Sequence, residues 1–142
     1  MTNAKTALLL LINTALLFAV GWAAYWGHLA TIWDADALKL SFVIMPLFFL
    51  AGYGLSLGFI SDDLAEEIEA RLPMVALTGT VYGILLVFSV LAKAKLGSAA
   101  DFKTQLPILL SGGGSAMWPT FLALAGSNLL WVQLLIHRRW VA

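Results

Sequence analysis

Charge is absent from four long stretches of this 142-residue chain, and nothing else in it restricts the fold as much. Ionisable side chains are confined to Lys5, Asp34 to Lys39, Asp62 to Arg71, Lys93 to Lys103 and His137 to Arg139, with His28 at the edge of a loop. The runs between them are Ala7 to Trp26, Leu40 to Ile60, Pro73 to Ala92 and Leu106 to Ile136. Each is long enough for a transmembrane helix, which takes roughly 20 apolar residues to cross a hydrocarbon core of about 30 Å. Composition agrees, with 61% apolar and 11% charged residues, where soluble domains are about 45 to 50% apolar and roughly a quarter charged. The expected fold is all-α: a polytopic membrane protein whose residues 1–142 form a single membrane domain. It has four transmembrane helices, spans about 7–26, 40–60, 73–92 and 106–136, and a short acidic cytoplasmic helix at about 62–71. A removable leader is the weaker reading of the first run, because further spans follow and no small-residue cleavage site ends it.

The same inventory excludes whole classes of function. Eight basic and eight acidic residues leave no surplus positive charge for a nucleic-acid footprint. Without cysteine there is no disulfide framework, thiolate metal site or cysteine nucleophile. No ionisable residue lies inside any of the four runs, whereas proton relays and ion-coupled transporters place such groups within the membrane. A self-sufficient proton-exchanging exporter is therefore disfavoured. Two histidines outside the apolar runs make poor axial haem ligands, and material for a catalytic triad, zinc site or paired carboxylates is lacking. The expectation is no enzyme, no cofactor, no metal and no catalytic residue.

Local signals fill in the organisation. The fourth run, 31 residues, would extend about 46 Å as one helix, so it must tilt, kink or project. Pro107 suits a first helical turn, and Ser98 with Asp101 reads as a capping box that opens a short interfacial helix before the span. Gly112, Gly113, Gly114 and Pro119 offer places to bend. Ser61 is an N-cap candidate, followed by Asp62 and Asp63 where the helix dipole favours negative charge; Leu64 and Ile68 give that acidic helix an apolar stripe. His28, Asp34 and Asp36 fall on the outer loop and read as solvated. Basic residues divide four against four between the two sides, so charge bias does not orient the chain. The terminal cluster His137, Arg138, Arg139, Trp140 resembles a snorkelling and aromatic anchor, which favours both termini in the cytoplasm.

The triple glycine lacks the Lys-Ser/Thr of a phosphate loop and sits in an apolar run, so it reads as helix packing. Gly112, Ala116, Thr120 and Ser115, Pro119, Ala123, Ser127 recur at intervals of three to four, the small-residue stripe through which helices approach in lipid. Gly54 and Gly58 form a GxxxG on the second span. Hydroxyls concentrate on the last two spans: Thr78, Thr80 and Ser89 on the third, and Ser111, Ser115, Thr120 and Ser127 with Asn128 on the fourth. The first two spans have chiefly Asn13, Thr14, Ser41, Tyr53 and Ser56. Such hydroxyls commonly bond the carbonyl one turn back. Pro119, however, removes a backbone donor and frees the Ser115 carbonyl near the Thr120 hydroxyl.

Two segments resemble a known family. Leu72-Pro73-Met74-Val75-Ala76-Leu77-Thr78-Gly79-Thr80-Val81-Tyr82-Gly83-Ile84 is similar to the pore helix of the MotA/TolQ/ExbB proton-channel family, with a proline at the helix start and a Gly-Thr-Val-aromatic-Gly core. Ser115 to Ser127 resembles that family's last helix, where a small residue, an apolar run and a threonine precede a Gly/Ala-rich stretch. The resemblance implies a homopentameric ring whose last two helices surround single-span MotB/TolR/ExbD-like partner helices carrying the titrating aspartate. By position it implies pore-lining roles for Thr80 and Thr120, with Pro73 at the cytoplasmic end of the pore helix; Ser115 and Thr78 are further ion-pathway candidates, and Gly79, Gly83, Gly112, Ala116, Pro119 and Ala123 are expected to pack the helices. The implied protein is an ion-driven motor or stator subunit of a bacterial inner membrane. It would be a compact one, since only Ser61 to Leu72 stand where the family carries a cytoplasmic domain, and Ser115 replaces an acidic residue of the Exb branch. The alternative is a structural subunit that packs through its small-residue stripes and conducts nothing.

Overall fold

The computed structural model describes residues 2–93 and 99–139. Within them the chain is almost entirely helical, without a strand: α1 Thr2–Tyr25, α2 His28–Ala35, α3 Ser41–Leu57, α4 Asp62–Lys93 and α5 Ala99–Arg139. Helices α1, α4 and α5 are each long and apolar enough to cross a membrane; α3 is apolar but spans 17 residues. α4 and α5 form the most extensive pair, and α3 packs on both.

Several boundaries depart from the sequence reading. The acidic segment 62–71 is not a separate helix, because α4 continues unbroken through Pro73 for 32 residues. Proline leaves the Glu69 carbonyl without its helical donor, yet packing holds the chain on both sides: Leu72 and Ala76 are buried against Ile44 and Ala123, and Ala65 lies in the cluster of Phe48, Ala51, Leu55, Leu130 and Leu134. Pro73 is thus interior, not at a helix start. α5 likewise runs through Pro107 without a separate interfacial helix, the proline lying on an exposed face. Ser98, the Asp101 side chain and Trp140 lie outside the described residues.

The expected outer loop after α1 contains a helix. Gly27, at φ 78°, turns the chain, and α2 follows with Ile32 buried against the bundle. The GxxxG of the second span is a helix stop instead of a packing face. Gly58 adopts φ 78°, and the N–H groups of Gly58, Phe59 and Ile60 converge on the Gly54 carbonyl. Ile60 folds back so closely that a Cβ on Gly54 would lie 2.5 Å from it. This is the left-handed glycine ending that satisfies orphan carbonyls. Ser61 then opens α4, its Oγ accepting the Leu64 N–H at 3.3 Å.

Lipid provides no hydrophobic drive between helices, so polar contacts and close approach must hold α1 in place. Asn13 does this: its Nδ2 donates to Gln133 Oε1 at 2.9 Å and to Ser56 Oγ at 3.1 Å, while Gln133 Nε2 donates to Asn13 Oδ1 at 3.2 Å. All three side chains are buried, and Gly52 makes room, since a Cβ there would sit 2.3 Å from Asn13 Oδ1. Beyond this clasp the two chain ends meet at one end of the bundle. Lys5 Nζ lies 3.2 Å from His137 Nε2, His137 lies 3.4 Å from Asp62, and Arg138 pairs with Glu66. Toward the opposite end, α1 stands off from α3 and α5 and leaves an apolar groove of about 410 Å³ lined by Leu16, Val20, Ile44, Phe48, Phe121 and Gly126.

Candidate functional site

The centre of the α4–α5 seam is a backbone-to-backbone crossing. A Cβ on Gly83 would stand 2.3 Å from the Gly112 carbonyl and 2.7 Å from Ala116 N, and one on Gly112 would meet the Gly83 carbonyl at 2.9 Å. One turn earlier, Gly79 faces the Ser115 carbonyl at 2.9 Å and the Pro119 ring at 3.2 Å by the same measure. That carbonyl is the one Pro119 deprives of a donor. With only hydrogens on the Gly79 Cα, it abuts a surface able to offer a weak Cα–H contact. Gly79, Gly83, Gly112, Ala116 and Pro119 therefore share one interface, and buried Ala123 continues it toward Ala76.

This close approach brings the two threonines together. Thr80 Oγ1 and Thr120 Oγ1 are 2.6 Å apart, and both donate within reach of the Ala116 carbonyl, at 3.2 and 2.8 Å. Thr80 also reaches the Ala76 carbonyl one turn back, at 3.2 Å. Two rotatable O–H groups thus share one carbonyl and each other, and both residues are half-buried. Rotation lets the pair present either a lone pair or a hydrogen to a third polar group.

The remaining pathway candidates are placed elsewhere. Thr78 is exposed on the side of α4 away from the pair. Ser115 is fully buried but faces the α2–α3 corner, where its Oγ accepts the Ala37 N–H at 2.5 Å. Pro73 is half-buried midway between the pair and the acidic turns of α4. A second polar rung lies nearer the termini: Ser127 Oγ donates to Glu69 Oε1 at 2.7 Å. Glu69 and Thr80, eleven residues apart, fall on nearly one face of a helix with 3.6 residues per turn.

Three participants escape a reading by charge-free length. Gln133 sits in the apolar run near the end of α5, and only its amide in such a run signals the clasp with Asn13. Glu69 looks like one more carboxylate on a solvated face. Asp36 looks like part of a loop, yet it is wholly buried, with Oδ2 accepting the Ser41 N–H at 2.8 Å. Among the described residues no cluster of three or more His, Asp or Glu side chains is arranged to hold a metal ion. No protein-family model, curated protein or solved structure matches the chain.

Proposed function

We propose that this chain is a ring subunit of an ion-driven motor or channel in a bacterial inner membrane. In this reading α3 counts as a fourth span, both termini are cytoplasmic, and five copies form the ring. α4 and α5 surround single-span partner helices, and the partner supplies the titrating aspartate. The Thr80–Thr120 pair carries the proposal. It is a polar patch on the seam between two helices, it bears no charge, and its hydroxyls can serve a carboxylate by donating or a carboxylic acid by accepting. A group that must be received alternately in both protonation states needs such an adaptable partner. The exposed apolar residues of α4 and α5, among them Val81, Leu85, Phe88, Met117 and Phe121, supply surface for neighbouring helices.

Native mass spectrometry of the complex in mild detergent tests this. Five copies with additional mass from a small single-span chain support the ring. A monomer or dimer that persists across detergents overturns it and favours a structural subunit, a reading to which the glycine crossing of α4 and α5 lends itself.

A further inference from the structure

Beyond the Asn13–Gln133 clasp, the space between α1 and α5 is neither filled by side chains nor suited to water. The inner face of α1 brings Ala19 and Ala23 to the groove, two methyls where larger residues would close it, and Ala19 is exposed although it lines the groove. The polar side chains of the lining, His28, Thr31 and the Trp118 indole, lie at its α2 end, and Thr31 donates to the Gly27 carbonyl at 3.3 Å. An enclosed water needs about 2–4 hydrogen-bond partners, which the depth of the groove does not offer. An empty groove would forfeit the dispersion contacts of both walls.

Its dimensions select the occupant. Along α5 the lining runs from Trp118 to Leu129, about 16 Å of helix rise. Along α1 it begins at Leu16, about 15 Å of rise from Trp26 at the end of the uncharged run, which is half of a hydrocarbon core of about 30 Å. The groove therefore has the depth of one leaflet. A volume of about 410 Å³ over that length leaves a mean cross-section of about 25 Å², whereas a helix about 10 Å across needs about 80 Å². A single methylene chain, with carbon neighbours at about 4 Å on every side, needs only about 20 Å². The groove is too narrow for a helix of a partner or of a second copy, and matches one extended hydrocarbon chain. At its α2 end Trp22, Tyr25 and Trp26 are exposed, the residue types that sit at the level of lipid headgroups. His28 is on that rim, exposed, and its ring has no hydrogen-bond partner among the described residues.

We propose that this groove is a phospholipid site: one acyl chain, from the leaflet on the side away from Lys5 and Arg138, lies between α1 and α5, and the lipid phosphate accepts the N–H of the His28 imidazole. The site is built within one chain and does not depend on the ring reading above. Photolabelling of the full chain in phosphatidylcholine–phosphatidylglycerol vesicles tests it, with a trace of phosphatidylcholine carrying a diazirine midway along one acyl chain and the label mapped by mass spectrometry. The expected result is several-fold more label on Val20 and Phe121, inside the groove, than on Leu17 and Phe18, exposed at similar depth on α1. Ala19→Leu with Ala23→Leu fills the groove and should remove that excess while leaving the label on Phe18; if the pair does not fold, Ala23→Leu alone is read, with a reduced excess expected. His28→Ala should also reduce the excess. Equal labelling of the two faces in the wild type means surface lipid only and overturns the proposal, as does an excess that survives the filled groove; an excess indifferent to His28→Ala overturns the phosphate contact. A chain that proves monomeric but keeps the groove label would remove the ring and leave the lipid site standing.

Discussion

Thr80 and Thr120 meet oxygen to oxygen at 2.6 Å across two helices whose backbones touch at Gly83 and Gly112, and both hydroxyls lean on the carbonyl of Ala116. The contact depends on the crossing: any side chain between these backbones would separate the hydroxyls. Replacing either threonine with valine preserves shape and removes one hydroxyl. Thr80→Val or Thr120→Val should abolish ion-coupled activity in vesicles containing the partner while leaving the subunit count unchanged. The stability change should stay within about 1.5 kcal/mol, the usual net worth of one hydrogen bond. Undiminished ion flux in both variants would remove these residues from the pathway.

The triple glycine separates into positions of opposite tolerance. Gly112 faces the Gly83 carbonyl and Val87 at 2.9 Å, and Gly114 faces Ala35, but a Cβ on Gly113 meets nothing within 4 Å. Gly113→Ala should leave the melting temperature unchanged or raise it, since alanine is favoured over glycine in a helix by up to about 1 kcal/mol. Gly83→Ala should lower stability by about 1–3 kcal/mol through overpacking. Equal melting of the two variants would contradict the crossing.

Asn13 and Gln133 should behave as one unit. Asn13→Leu alone strands the Gln133 amide and Gln133→Leu alone strands Asn13, each at about 1–3 kcal/mol. The double variant should fall well short of the sum of the singles. Unfolding in graded sodium dodecyl sulfate, run as a double-mutant cycle, measures the coupling; strict additivity would mean that the clasp contributes nothing.

At Gly58 the left-handed backbone sets the outcome. Gly58→Ala should destabilise by about 1–2 kcal/mol, because a Cβ is disfavoured at positive φ, and Gly58→Asn should lose less. The same unfolding measurement ranks the two.

What the sequence makes legible is what depends on length and local chemistry. Uncharged runs mark the helices, and Ser61 with Asp62 marks the start of α4. Thr80 and Thr120 stand out as hydroxyls on adjacent spans, but their contact depends on the register between α4 and α5, which no single-helix pattern contains. Burial of Asp36 is hidden for a related reason: it lies in the charged stretch between the first two uncharged runs, and the approach of Gly114 and Ser115 from another helix to Ala35 and Ala37 beside it is not written in that stretch. Pro73 misleads because proline's local preference for a boundary is overridden by Leu72 and Ala76 packing on either side. Gly54 and Gly58 mislead in reverse, as a spacing common at helix interfaces here serves to end a helix.

The unbroken course of α4 has a mechanical meaning. From Asp62, bonded to the chain's two ends through His137, to Thr80 and onward to Lys93, there is one shaft of about 48 Å with no hinge loop along it. The charged end and the threonine level thus belong to one continuous helix, and no loop between them would let either be repositioned without bending or moving that helix.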